Sequence, residues 1–159
     1  LFAADTPQVY INAIISHCLK WPNNTYIFQT KNPKRYLTMD GFFPENSILG
    51  TTIETNRDTI SIISKAPPTI ERYIAMKLLK TRKFITVEPI LNFDLYLLSN
   101  WILDCKPEFV NIGADSKGHN LPEPPIEKVE ALISILKSFG IEVREKHNLE
   151  RLRKHHKQG

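Results

Sequence analysis

The stretch Lys83-Phe-Ile-Thr-Val-Glu-Pro-Ile-Leu91 decides the fold class. Its first half is aromatic and β-branched without a clean apolar–polar alternation, which is typical of a parallel strand covered on both faces. Pro89 removes a backbone donor and holds the preceding residue extended, so the strand is predicted to end at about Glu88. A carboxylate at the carboxyl end of a buried parallel strand is where α/β folds place their chemistry.

Four further strands of this kind alternate with helical segments, whereas the segment between the first two strands reads as a polar, aromatic linker. Regular alternation predicts a parallel sheet with right-handed crossovers. Five strands are too few to close an eight-stranded barrel, so we predict an α/β fold, a partial TIM-like (β/α) barrel that is a fragment of a larger barrel. The strands are predicted at 25–31, 47–54, 83–88, 108–113 and 141–145, and the helices at 7–20, 56–64, 69–79, 94–105, 126–139 and from 148 onwards.

The composition is that of a single domain. A chain of 159 residues with ordinary apolar content is long enough to bury a core and does not have the composition of a disordered protein. No apolar run approaches the ~20 residues that span a bilayer, and the first residues do not form a secretory signal. We therefore expect a cytoplasmic protein without membrane contact. Cys18 and Cys105 are predicted to be buried free thiols, and neither belongs to a close-spaced cysteine motif.

The positive charge is concentrated at the end of the chain. From residue 144 to residue 159 there are six Lys or Arg and two Glu, which gives +4, and the whole chain also carries +4. The predicted helical tail at 148–159 is therefore basic. Such a tail can make weak contacts with a nucleic-acid backbone, and basic residues near a helix C-terminus also stabilise the helix dipole. Both interpretations are open at this stage.

Polar side chains follow every predicted strand, and in a β/α barrel the carboxyl ends of the strands converge on one face. The glutamates among them could bind ribose hydroxyls, bind an amino group or ligate a metal, and the lysines could pair with a carboxylate or phosphate. A glycine there would permit close backbone approach to a ligand. The sequence therefore predicts a binding site at this face. The strand-end residues are Thr30, Lys31, Asn32, Glu54, Asn56, Arg57, Glu88, Asn111, Gly113, Asp115, Lys146 and Asn148.

Four of these segments resemble, in order and spacing, the later strands of an uncharacterised phage-associated family whose members look like radical S-adenosylmethionine (radical SAM) enzymes. The resemblance covers residues 25–115 and is less distinct towards both ends. The matching segments are Phe28-Gln-Thr-Lys-Asn-Pro33, Leu49-Gly-Thr-Thr-Ile-Glu54, Phe84-Ile-Thr-Val-Glu-Pro-Ile-Leu91 and Phe109-Val-Asn-Ile-Gly-Ala-Asp115.

The resemblance implies a partial β/α barrel that cleaves S-adenosylmethionine with a [4Fe-4S] cluster held by an N-terminal three-cysteine motif. This chain has only two cysteines, so a cluster would require a cysteine motif upstream, and a missing N-terminal half-barrel or self-association would complete the barrel. On this hypothesis Asn32, Arg57, Lys146 and Asn148 contact the substrate. The implied contacts to S-adenosylmethionine are Thr30, Lys31, Glu54, Asn56, Glu88, Asn111, Gly113 and Asp115.

Two other function classes remain open from the sequence, and whether the chain is an enzyme is left undecided. The first is a barrel lyase or hydrolase, in which Glu54, Glu88 and Asp115 hold a divalent cation, or Lys31 or Lys146 acts as a Schiff-base amine. The second is a non-catalytic remnant that binds nucleic acid through the basic tail.

Overall fold

A computed structural model describes residues 1–57 and 64–156 of the chain, with the side chains of the last two of these left out. Within these ranges strands and helices alternate, which confirms the predicted α/β class. The helix predicted at 56–64 falls on residues that lie largely outside the described ranges. The strands are β1 (Tyr26–Gln29), β2 (Ser47–Thr52), β3 (Lys83–Val87), β4 (Phe109–Ile112) and β5 (Glu142–Glu145).

The five strands form one sheet in the order β1-β2-β3-β4-β5, and every neighbouring pair is parallel. Because the spatial order follows the chain order, successive crossovers all proceed in the same direction across the sheet. A doubly wound fold would instead reverse direction at a switch point. The topology is therefore that of a partial (β/α) barrel, as predicted.

One of the helices was not predicted. Lys34–Leu37 lies in the segment read as a linker, and four residues are too few to show a helical period. Its Tyr36 is fully buried and donates a hydrogen bond of 3.2 Å to the Gly50 carbonyl. No helix within the described ranges is long and apolar enough to cross a membrane. The helices are α1 (Gln8–Leu19), α2 (Lys34–Leu37), α3 (Thr69–Leu78), α4 (Leu95–Cys105), α5 (Ile126–Ser138) and α6 (Leu149–His156).

The two faces of the sheet bury different side chains. Leu49, Ile85 and Val110 lie on the face that belongs to the main core, together with the buried residues of the helices. The opposite face, here called the inner face, carries a separate cluster of Ile48, Phe84 and Phe109. Side chains alternate along a strand, so residues two and four positions further along β2, β3 and β4 share this inner face. The polar strand ends lie at the end of these rows.

Both cysteines are free and buried, as the sequence predicts. Burial raises the pKa of the Cys105 thiol to about 12. This thiol therefore stays protonated near neutral pH, whereas metal ligation requires the thiolate.

Candidate functional site

An open cavity of about 610 Å³ lies at the carboxyl ends of the strands. Lys31, Glu54, Glu88 and Asp115, which follow β1, β2, β3 and β4, all line it. The structure thus brings together one predicted site residue from each of four strand ends. The volume is within the range of about 300–1,000 Å³ that small-molecule sites occupy. The apolar part of its wall comes from Pro89, Leu91, Ala114 and Leu121.

Glu54 is the most enclosed of the four residues, with a side chain that is 2% exposed. One carboxylate oxygen lies 2.6 Å from Lys31 Nζ, and the other lies 2.9 Å from Arg72 Nη1. Both oxygens are therefore occupied by cations of the protein itself. The Lys31 side chain is 44% exposed, so Glu54 holds an ammonium group at the cavity rather than offering a carboxylate to a ligand.

Arg72 comes from α3 and is completely buried. Besides Glu54, its guanidinium donates hydrogen bonds to the carbonyls of Thr52 at 3.0 Å and Pro67 at 2.6 Å. Burial lowers the pKa of the guanidinium, and attraction to Glu54 opposes this effect. An uncompensated charge at this position would be costly, so the Glu54 carboxylate is required for Arg72 to be buried.

Glu88 differs from Glu54 because one of its oxygens is available. Its Oε1 accepts a hydrogen bond of 2.8 Å from Asn148 Nδ2. Its Oε2 lies 3.8 Å from Lys146 Nζ, which is an ion pair but is too long for a hydrogen bond. No other partner of Oε2 is present in the described part of the chain, and the side chain is 27% exposed. Glu88 therefore presents an oriented carboxylate oxygen at the cavity.

The backbone around Gly113 shapes the surroundings of Glu88. A Cβ atom at Gly113 would lie 2.7 Å from both Cδ and Oε1 of Glu88 and 3.0 Å from Asn148 Oδ1. The space that the sequence assigned to a ligand beside Gly113 is therefore filled by the Glu88 side chain. The Asn148 amide also donates to the Ala114 carbonyl at 2.8 Å and accepts from the Ala114 amide at 3.0 Å. These contacts fix Glu88 to the loop after β4.

Asp115 organises the same loop. Its carboxylate accepts hydrogen bonds from the backbone amides of Lys117 and His119, and His119 Nδ1 lies 2.8 Å from Oδ1. The bond from the His119 side chain is the main reason why the pKa of Asp115 is lowered. The Asp115 amide donates to Glu123 at 2.7 Å, and Arg151 lies 2.6 Å from Glu123. The Asp115 carboxylate is therefore bound within its own loop, and the imidazole of His119 lines the cavity beside it.

Several predicted site residues make contacts that do not reach the cavity. Thr30 accepts hydrogen bonds from Thr51 Oγ1 at its carbonyl, at 2.7 Å, and from the Asn32 amide at its hydroxyl, at 3.0 Å. The Asn32 side chain donates to the Phe2 carbonyl at 3.3 Å. Asn111 lies on the inner face within β4, where its amide is 3.4 Å from Thr86 Oγ1. None of these three residues lines the cavity.

Asn56 and Arg57 both bind Asp94, the residue before α4. The Asn56 amide is 3.0 Å from Asp94 Oδ2, and Arg57 Nη2 is 2.6 Å from Asp94 Oδ1. The hydrogen bond from Arg57, followed by that from Asn56, lowers the pKa of Asp94. These contacts connect the end of β2 to the start of α4. The side chains of Asn56 and Arg57 therefore bind Asp94 and do not make the predicted ligand contacts.

Sequence reasoning missed Arg72 and His119. Arg72 lies three residues after Thr69 and four before Met76, and all three are buried, so it belongs to the buried face of α3. An arginine in that register is a signal for a buried acid, because a charge is buried only when it is paired. His119 carries no comparable signal, since its relation to Asp115 depends on the loop conformation.

The described residues fit none of the three chemical groups that the sequence hypotheses require. In the described ranges no three His, Cys, Asp or Glu side chains converge as metal ligands, so Glu54, Glu88 and Asp115 do not form the predicted cation site. The described residues also do not fit a [4Fe-4S] cluster, because only two cysteines are present and both are buried. Lys31 and Lys146 both face carboxylates, whereas Schiff-base lysines are desolvated in apolar pockets or placed beside another cation.

The basic residues near the end of the chain are largely engaged with acids. Arg153 alone contacts three carboxylates, those of Glu130, Glu145 and Glu150. The hydrogen bond that Arg153 donates to Glu145 is the main reason why the pKa of Arg153 is raised. Such pairing reduces the positive potential that a phosphate backbone would meet. The other ion pairs of this region are Arg144–Glu142, Lys146–Glu88 and Arg151–Glu123.

Comparison with known proteins gives no match: no protein-family model, no curated protein and no solved structure is significantly similar to the chain.

Proposed function

We propose that this chain is the cofactor- and substrate-binding half of a radical S-adenosylmethionine-like enzyme, and that S-adenosylmethionine binds in the cavity beside Glu88. The observation that carries the proposal is the Glu88 carboxylate, which lines a cavity of about 610 Å³. One of its oxygens is fixed by Asn148 at 2.8 Å, and the other has only a long ion pair of 3.8 Å with Lys146. A carboxylate held in this way is suited to an ammonium group or a pair of ribose hydroxyls.

The rest of the cavity complements the chemistry of S-adenosylmethionine, which combines an amino acid, a sulfonium ion, a ribose and an adenine. Lys31, held by Glu54, can pair with the carboxylate of the ligand. Leu91, Pro89 and Leu121 provide apolar surface for the adenine ring. Bound S-adenosylmethionine would supply the radical chemistry of such an enzyme. The residues of this chain would bind and orient it.

The cluster itself belongs elsewhere in this proposal, because the described residues do not fit it. The missing half-barrel would dock at β1, the first edge of the sheet. Ile27 of β1 is 61% exposed, and Val9 and Tyr10 of α1 are also exposed. The β5 edge, by contrast, carries Glu142 and Arg144, and charged side chains are typical of a protected sheet edge. Self-association through β1 is the alternative way to complete the barrel, and we place the complete enzyme in the cytoplasm.

The test is calorimetric titration of S-adenosylmethionine into the purified chain and into two variants. Glu88→Gln should weaken binding by about tenfold or more, because a hydrogen bond to a charged group contributes about 1.5–3 kcal/mol. Glu108→Gln is the matched control, since Glu108 lies at the amino end of β4 and pairs with Arg82 at the surface. Failure of the unmodified chain to bind, or equal affinities of the two variants, would refute the proposal. Borohydride trapping of a carbonyl compound on Lys31 would instead favour the Schiff-base lyase.

A further inference from the structure

We propose that His119, oriented by Asp115, accepts a proton at Nε2 from the molecule bound in the cavity. Neither residue has this role in the binding proposal above. The inference rests on that proposal only for the identity of the ligand, and on the geometry of the loop after β4 for the chemistry.

The first step is the orientation of the imidazole. The Asp115 side chain is 5% exposed, and its Oδ1 lies 2.8 Å from His119 Nδ1. The same carboxylate also accepts the backbone amides of Lys117 and His119. Three N–H groups of one short loop therefore point at this carboxylate and hold it beside the ring. Asp115 therefore acts as a positioning residue for His119.

The second step is the protonation state that this contact selects. The lowered pKa of Asp115 keeps the carboxylate ionised near neutral pH, where it can only accept hydrogen bonds. The neutral imidazole must then carry its proton on Nδ1, which leaves the Nε2 lone pair free. A carboxylate behind a histidine in this manner fixes the tautomer and stabilises the imidazolium that forms on proton uptake.

The His119 imidazole is also accessible to a molecule in the cavity. The His119 side chain is 57% exposed, and it lines the same cavity as Glu88 and Lys31. Its loop is held in place from behind, since Arg151 binds both the Asp115 carbonyl at 3.1 Å and Glu123 at 2.6 Å. The imidazole is thus a base held by its own loop in the cavity that Glu88 also lines.

The transfer itself is simple. The bond between a nitrogen, oxygen or acidic carbon of the bound molecule and its proton breaks, and the electron pair stays on that atom. The proton forms a new bond to Nε2. The resulting imidazolium keeps its Nδ1 proton, which it donates in a hydrogen bond to Asp115. No oxidant or reductant is required. Proton transfer by a positioned side chain contributes about 10²–10⁴-fold to a rate.

Two measurements on the free protein test the pair without any ligand. Long-range nitrogen-15 NMR spectra should show the neutral His119 ring protonated on Nδ1. Modification by diethyl pyrocarbonate, followed at alkaline pH where imidazoles are neutral and resolved by residue in a mass spectrometer, should be slower at His119 in Asp115→Asn than in the unmodified protein, because the carboxylate holds the tautomer with the Nε2 lone pair free. The exposed His17 and His147 are internal references, and Asp104→Asn, which removes a carboxylate bound to Lys77, is the matched control. The tautomer measurement stands even if Asp115→Asn disturbs the loop.

The same modification is then repeated with S-adenosylmethionine as the probe. Protection of His119, but not of His17 and His147, would place the ligand at the imidazole and support the inference. If S-adenosylmethionine binds but His119 is protonated on Nε2, or reacts alike in Asp115→Asn, the inference is overturned and the proposed function stands. If S-adenosylmethionine does not bind while the tautomer and the effect of Asp115→Asn are as expected, the ligand is wrong and the proton-accepting pair stands.

Discussion

Asn148 Nδ2 donates a hydrogen bond of 2.8 Å to Glu88 Oε1 across a separation of 60 residues in the chain. This bond links the residue that follows β3 to the start of α6, and the same amide makes two hydrogen bonds to the backbone of Ala114. The Asn148 side chain therefore connects the carboxyl ends of β3, β4 and β5. The available oxygen of Glu88 is oriented by this arrangement.

Replacement of Asn148 should reduce both stability and ligand binding. Asn148→Ala leaves the Ala114 amide and the Glu88 carboxylate without their partner, and an unsatisfied buried group costs about 1–3 kcal/mol of the free energy of unfolding. Urea denaturation measures this loss. Asn24→Ala is the control, because Asn24 is exposed and its only side-chain contact in the described chain is a long one of 3.5 Å to Tyr26, so its effect should stay within about 0.5 kcal/mol. Equal effects of the two substitutions would contradict the role of Asn148.

The buried pair of Glu54 and Arg72 should matter more for stability than any surface pair. Glu54→Gln removes the charge that compensates a fully buried guanidinium 2.9 Å away, and breaking such a pair costs about 3–5 kcal/mol. The same substitution at Glu108, whose pair with Arg82 is exposed, should cost less than about 1 kcal/mol. Denaturant unfolding of both variants provides the comparison. Similar losses would show that Arg72 is compensated by other groups.

Gly50 should tolerate no side chain while Phe84 is present. A Cβ atom there would lie 2.1 Å from the Phe84 ring, so Gly50→Ala should cost about 1–3 kcal/mol through overpacking of the inner face. Adding Phe84→Leu should recover part of this loss, which a double-mutant cycle measures. Ser47→Ala is a control in the same strand, because Ser47 Oγ is buried without a partner in the described chain, and its removal should not destabilise the protein. An additive cycle would refute the contact.

Asp115 should contribute to stability above acidic pH. Because the pKa of its carboxyl is lower in the folded than in the unfolded chain, the unfolded chain binds the proton first as the pH falls. The contribution is present above the unfolded pKa of about 3.9 and is lost as the pH falls through the folded pKa. Thermal unfolding of Asp115→Asn should therefore depend less steeply on pH below about 4 than that of the unmodified protein. Asp5→Asn, at an exposed position, serves as the control. Parallel acid profiles of all three proteins would contradict the prediction.

The central strands β2 and β3 were predictable from sequence because their residues are buried on both faces. β2 and β3 consist entirely of buried residues, and the run around Phe84 to Val87 shows this without any partner. The exposed side of α3 was not predictable. Ile70, Ile74 and Leu78 are exposed, while Arg72 is buried. The apolar residues of this helix occur on more than one side of it, so they do not identify its buried face.

The convergence of strand ends was predictable from topology, but the role of each residue was not. Glu54 and Glu88 look alike in the sequence, since both follow buried strands. Arg72, 18 residues after Glu54, binds one carboxylate oxygen of Glu54. Asn148 binds only one oxygen of Glu88, so the other oxygen has no hydrogen bond from it. Such differences depend on side chains brought together by crossovers, which no local pattern contains.

The most direct test of the central claim is an NMR titration of the nitrogen-15-labelled chain with S-adenosylmethionine. Amide shifts should change at the cavity, in Lys31, Glu88, Ala114 and His119, and not at the amino ends of the strands around Lys83 and Glu108. Saturable changes confined to the cavity would support S-adenosylmethionine as the ligand of this half-barrel. Unchanged spectra at millimolar ligand, or changes centred on the amino ends, would contradict the claim.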